Sequence, residues 1–216
     1  MNLFDLDSPF MHTLNKMFDL VILNIIAVVC SLPVVTIGAA TTALYTAIDA
    51  SQKEEGNLLR VYFSSFRANF KQATLLWLIL MVLGTVTGYS LLVSLVSEKV
   101  DFGMLIAAAV GFCLWMMFTA WTFPLQAKFE NKVLRTLRNA VLLSVGYLLR
   151  SIVMALLIML PWLMLAFAPG LFLQIMPVWM LAWFSLAAWI NWKLLKKPFR
   201  DLTGEEAEDS TEGNEE

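Results

Sequence analysis

The residues best suited to chemistry are few and scattered. His12 is the only histidine, and Cys30 and Cys113 are the only thiols. Eight of the 17 carboxylates (Asp201, Glu205, Glu206, Glu208, Asp209, Glu212, Glu215 and Glu216) fall after residue 200. One imidazole cannot build the usual histidine metal site. A Gly-x-x-x-x-Gly-Lys-Ser/Thr phosphate loop, a His-Glu-x-x-His pair and a Gly-x-Ser-x-Gly nucleophile turn are all missing. The interiors of the long apolar runs hold no carboxylate, so a buried acid–base pair or proton relay has no candidates. No catalytic, cofactor or metal residue is assigned, and the expectation is a protein that is not an enzyme.

What remains is hydroxyl, amide and cation chemistry. Asn24, Ser31, Thr36, Thr41, Thr42 and Tyr45 recur along one stretch that Pro33 interrupts. Proline removes a backbone hydrogen bond, and in a spanning helix neighbouring side chains or water must satisfy the freed groups. Two readings stay open: a polar lining for a solute pathway, or hydrogen bonds to neighbouring helices. Asp19 and Arg150 are the charges nearest the apolar interior, both at the ends of runs, where a long arginine reaches the interface. A cationic set, Arg60, Arg67, Lys71, Arg135 and Arg138, is suited to contacts with a partner or with lipid headgroups.

These groups must be carried by elements whose composition is unusual. Of 216 residues, 59% are apolar and 15% charged, against roughly 45–50% and 25% in soluble domains. The mean hydropathy is +0.72. A soluble fold of this size has too little interior for so much apolar surface, which argues against a soluble enzyme, a nucleic-acid binder and a disordered chain. The net charge of −2 averages two regions, because the tail 201–216 contains no basic residue and leaves 15 basic against 9 acidic ones in 1–200. That tail is expected to be disordered and solvated. Both cysteines lie in apolar runs, where reduced thiols act as small apolar groups.

A bilayer core about 30 Å thick takes about 20 helical residues. The apolar runs predict five spans at 18–39, 73–96, 102–124, 151–168 and 171–192, in an all-α polytopic membrane bundle. Pro161, Pro169 and Pro177 leave 151–192 open between two full spans and a broken or re-entrant arrangement. The connections 49–72 and 125–150 and the C-terminal end carry 13 of the 15 basic residues, and only Lys16 and Lys99 fall opposite. Basic loops stay in the cytoplasm, so loop counting puts the N-terminus outside and the C-terminus inside, in the cell membrane. Trp77, Trp121, Trp189 and Trp192 fall at the cytoplasmic span ends, as an interfacial belt would. Two cytoplasmic amphipathic helices are expected in the interface plane. In 58–71, Leu58, Leu59, Tyr62, Phe63, Phe66 and Phe70 oppose Arg60, Ser64, Arg67 and Lys71. In 132–148, Leu134, Leu137, Val141 and Leu148 oppose Arg135, Arg138 and Asn139. Gly84 and Gly88, and Gly103, Ala107 and Gly111, recur every four residues, a spacing that serves close helix packing within the chain or in a homo-oligomer.

Asn24, the run Ser31-Leu32-Pro33-Val34-Val35-Thr36-Ile37-Gly38-Ala39 and the triplet Ala43-Leu44-Tyr45 resemble the signature of the YesL family of bacterial multi-pass membrane proteins. Phe66-Arg67-Ala68-Asn69-Phe70-Lys71-Gln72, Asn139-Ala140 and the opening Phe4-Asp5-Leu6-Asp7-Ser8-Pro9 are similar to further family features. The resemblance covers about 1–200 and supplies no catalytic or ligand residues. Family members are often encoded beside carbohydrate ABC importers, which implies a role in sugar uptake by association. The leading expectation is a non-catalytic accessory subunit of a carbohydrate ABC importer or related complex. The alternatives are a small transporter or channel, and a membrane scaffold or regulator. The expected partners are the lipid bilayer and importer subunits, not nucleic acid.

Overall fold

A computed structural model describes residues 9–97, 101–129 and 131–203. The described chain is helical, without strands: α1 Pro9–Ser31, a 3-10 turn Val34–Thr36, α2 Ile37–Lys53, α3 Leu58–Val96, α4 Phe102–Lys128, α5 Val133–Gly146, α6 Leu148–Phe167, α7 Pro169–Gln174, α8 Met176–Val178, a π-helical stretch Trp179–Trp183 and α9 Phe184–Thr203. Five helical stretches among the described residues are long and apolar enough to cross a membrane: Leu14–Ser31, α3, α4, α6 and Met176–Leu202. The fold is an all-α multi-pass membrane bundle.

The first expected span is broken. Proline fixes φ and restricts the residue before it, so α1 stops at Ser31, and Thr36 Oγ1 ties the turn by donating to Cys30 O at 2.5 Å and Pro33 O at 2.6 Å. The chain then doubles back as α2, and Lys16 pairs with Glu54 at 3.3 Å. Thr41, Thr42 and Tyr45 therefore belong to a different helix from Asn24. Small residues make α2 the centre of the bundle, with Ala39, Ala40, Ala43, Ala47 and Ile48 fully buried. Gly38 allows α3 to come this close: a Cβ there would sit 2.3 Å from Ala73 O.

The stretch 58–71 is not a separate interfacial helix. Asn57 caps it by accepting from Arg60 N at 3.2 Å, and the first glycine or proline after that is Gly84. Nothing stops the helix at residue 72, and α3 runs for 39 residues, about 58 Å at 1.5 Å per residue. That is nearly twice the hydrocarbon thickness. Trp77 Nε1 donates to Val34 O at 2.8 Å, so the α1–α2 hairpin flanks the N-terminal half of α3, which carries Arg60, Arg67 and Lys71. Gly84 and Gly88 face Trp115 and Phe112 of α4, and Gly111 faces Thr87. These small residues thus serve the α3–α4 contact within the chain.

The second amphipathic helix forms as α5, and the face it packs inward is mostly small and hydroxylic. Thr136, Ala140, Leu143 and Ser144 face inward, while Leu134 is 80% exposed and Val141 and Leu148 are also exposed. In lipid an apolar side chain gains nothing by turning inward, whereas small and hydroxyl side chains let helices approach and bond. The aromatic belt is likewise only partial. Trp121 and Trp192 are buried braces whose indoles donate to Ser151 Oγ (2.7 Å) and Asp49 Oδ1 (3.1 Å), while Trp77 and Trp189 are half-buried.

Between 151 and 192 the chain forms one helix, a short connector and a second long helix. Pro161 stays inside α6, Pro169 starts α7, and Pro177 lies in the first turn of α8. Helix α9 continues to Thr203 and takes in Asp201, the first residue of the expected tail; 204–216 lie outside the described residues. Tyr147 Oη, at the corner between α5 and α6, donates to Asp201 Oδ2 at 2.7 Å, a bond to a carboxylate that raises the phenol pKa.

Candidate functional site

The longest polar chain forms where the N-terminal half of α3 meets the end of α4 and the start of α5. Asp101 caps α4 by accepting from Gly103 N at 2.9 Å, and the contacts of Gly84 with Trp115 and of Gly88 with Phe112 run α3 and α4 antiparallel. Pro124 does not stop α4, and the extra turn to Lys128 brings Gln126 opposite Gln72. Gln126 is buried and tied on both sides: it donates to Asn69 Oδ1 at 3.0 Å and accepts from Gln72 Nε2 at 3.1 Å and Thr136 Oγ1 at 3.3 Å. Asn69 donates to Ser65 Oγ at 3.2 Å, and Ser65 shares a 2.9 Å hydrogen bond with Thr46 of α2. Gln72 also donates to the backbone oxygen of Asn131.

These groups form the floor of an open recess of about 860 Å³. Arg60, Lys128 and Lys132 line it and are exposed. The two ion pairs among the described residues use Lys16 and Lys53, so none of these three cations has an acidic partner there. Glu130 lies outside the described residues. The polar lining groups are amides, hydroxyls and cations, beside Val61, Ala68, Ala127 and Phe129. They can bind and orient a solute through hydrogen bonds and charge.

The hydroxyls and amides expected as a lining are not gathered around this recess. Asn24 is fully buried; its Nδ2 donates to Met180 O at 2.7 Å and its Oδ1 accepts from Ser185 N at 2.9 Å. Those two backbone groups are five residues apart, one within the π-helical stretch and one just after it, so the carboxamide sits in the ladder like an additional peptide unit. Ser185 Oγ returns a bond to Leu20 O at 2.7 Å. Thr41 and Thr42 donate to the carbonyls of Ile37 and Gly38 in their own helix. Tyr45 Oη accepts from Asn191 at 3.4 Å, Thr36 holds the α1–α2 turn, and Ser31 ends α1. Of the cationic set, Arg60 lines the recess; Arg67 lies beside it in a shallow depression with Phe63 and Ser64; Lys71, Arg135 and Arg138 are exposed. Arg150 donates to Leu194 O at 3.0 Å. Asn69 and Gln72 enter the sequence reading only within the family-like segment 66–72, and neither they nor Gln126 stand there as site residues, although three carboxamides at facing ends of two neighbouring helices were the available signal.

Gln126→Leu is expected to lower stability by about 1–3 kcal/mol, because buried Thr136 and half-buried Asn69 and Gln72 lose their partner at once. Unfolding in detergent micelles measures this, and a wild-type melting curve would show that the chain of amides does not hold the α3–α4–α5 junction.

Fold and recess together define a multi-pass α-helical membrane protein with a cation-rimmed polar hollow at one end of the bundle. A family model described as "Protein of unknown function, DUF624" matches residues 20–91. The match covers Asn24, all of α2 and the α3 wall of the recess, and ends before α4. No curated protein and no solved structure matches the chain.

Proposed function

We propose that this chain is a non-catalytic membrane subunit that binds through its basic end and serves a carbohydrate ABC importer or related sugar-uptake complex of the cell membrane. The observation that supports the binding role is the recess, whose amides, hydroxyls and cations recognise a solute or partner rather than transform it. The link to sugar uptake rests on the resemblance to the YesL family, with which the match to the DUF624 model agrees. The hydrogen bonds of Asn24 and Tyr45 to distant helices favour this reading over a solute pathway through the first helix.

In this reading the basic end faces the cytoplasm. Lys16 pairs with Glu54, so the start of α1 faces the cytoplasm too, in place of the outward N-terminus that loop counting alone suggests. Lys16→Cys, in a background lacking Cys30 and Cys113, is expected to react with an impermeant maleimide only after the membrane is opened. Labelling of intact cells would reverse the orientation.

Photo-crosslinkers placed at Arg67 and Arg138 in sugar-induced cells test the accessory role. Importer subunits are the expected adducts, and recovery of the chain alone counts against the proposal. Oligosaccharide or ion flux into liposomes above the empty control would instead favour a transporter.

A further inference from the structure

We infer that the recess holds a phosphate group, as a phosphomonoester carried by a soluble molecule or by a lipid headgroup. This rests on the recess being a binding site, and it is independent of the sugar-uptake partner. Three cations reach one hollow from three places: Arg60 early in α3, Lys128 at the end of α4 and Lys132 at the start of α5. Like charges gathered around one cavity repel, and among the described residues no carboxylate offsets them. A bound anion removes that repulsion.

The chemistry narrows the anion. A neutral polyol would use the amides and hydroxyls and leave the three cations without a counter-charge among the described residues. A single carboxylate would balance one. A phosphomonoester carries about −1.5 to −2 charges at pH 7 and three strong acceptor oxygens, and the planar fork of Arg60 matches two of those oxygens. No side chain caps the first turn of α5, whose N-cap residue is Lys132; the partial positive charge of that helix start acts in the same direction. At about 860 Å³ the recess is far larger than a phosphate ion. The phosphate is therefore the head of a larger molecule, whose remainder lies over Ser64, Asn69 and Gln72.

The test uses the full chain in phosphatidylcholine nanodiscs, titrated calorimetrically with inorganic phosphate. In a second arm the discs contain a minority of phosphatidic acid, and native mass spectrometry counts the lipid that stays bound. Saturable phosphate binding, undiminished by phosphatidic acid, assigns the site to a soluble ligand. Retained phosphatidic acid that blocks phosphate assigns it to a lipid headgroup. In either case Arg60→Gln with Lys128→Gln weakens binding by about tenfold or more. Lys128→Arg keeps the affinity, and Lys197→Gln, on α9 outside the recess, leaves it unchanged. The inference is overturned if neither probe binds, or if the double variant melts like wild type and binds as tightly. Phosphate binding without any cross-linked importer subunit would remove the accessory role and leave this site standing.

Discussion

Asn24→Leu is expected to lower the unfolding free energy by about 2–3 kcal/mol, although the two side chains are similar in size. The loss comes from two backbone groups, Met180 O and Ser185 N, which the carboxamide bridges at 2.7 and 2.9 Å. A buried group left without a partner costs about 1–3 kcal/mol; the sum is discounted because side-chain hydrogen bonds in lipid average about 0.6 kcal/mol. A π-helical stretch makes the loss harder to repair, because its neighbours cannot shift into ordinary i to i−4 pairing without moving α9. Ser185→Ala is the contrast. It removes one hydroxyl bond to Leu20 O, and its effect should stay below about 1 kcal/mol. Denaturant titration in mixed micelles compares the two, and equal losses would sink the idea that Asn24 locks the first long helix to the last.

Gly38→Ala should cost about 1–3 kcal/mol, in the range for forcing an atom into a packed interior. The added Cβ would lie 2.3 Å from Ala73 O and 2.7 Å from Trp77 Cβ. Both atoms are fixed to the backbone of α3, so α2 and α3 must separate, and the 2.8 Å bond from Trp77 to Val34 O weakens with them. Gly146→Ala adds the same methyl where nothing lies within 4 Å, and helix propensity predicts a change between zero and a gain of about 1 kcal/mol. Melting temperatures of the two variants should therefore move apart. If both stay at the wild-type value, the α2–α3 contact is looser than its spacing indicates.

The helices were legible as apolar runs of the right length, because a membrane leaves its mark on every residue of a span. The ends and partners of those runs were less so. Residues 18–39 read as one span because Pro33 is tolerated in lipid, and local composition does not separate a kinked helix from a hairpin. The run of small residues from Gly38 to Ala50 was the better signal, since such a helix is suited to burial among other helices. In α5 the apolar residues Leu134 and Val141 lie outward, as an interfacial helix requires; the inner face was less legible because Thr136, Ala140 and Ser144 are small or hydroxylic. The recess was missed because its amides lie at the ends of two runs, 54 residues apart in the case of Gln72 and Gln126. The antiparallel packing of α3 against α4 brings those ends together.

The bond between Asn24 and Met180 also imposes an order in time. The amide is synthesised 156 residues before the carbonyl that accepts from it. At about 5–20 residues per second, it waits on the order of ten seconds for its native partner. During that interval α1 holds a polar group in an apolar setting, free to pair with translocon, lipid headgroup or another nascent chain. A chain cut short before residue 176 never buries that amide against the π-helical stretch. It would present the cell with a persistent polar flaw in its first long helix, the kind of feature by which incomplete membrane proteins can be recognised and cleared.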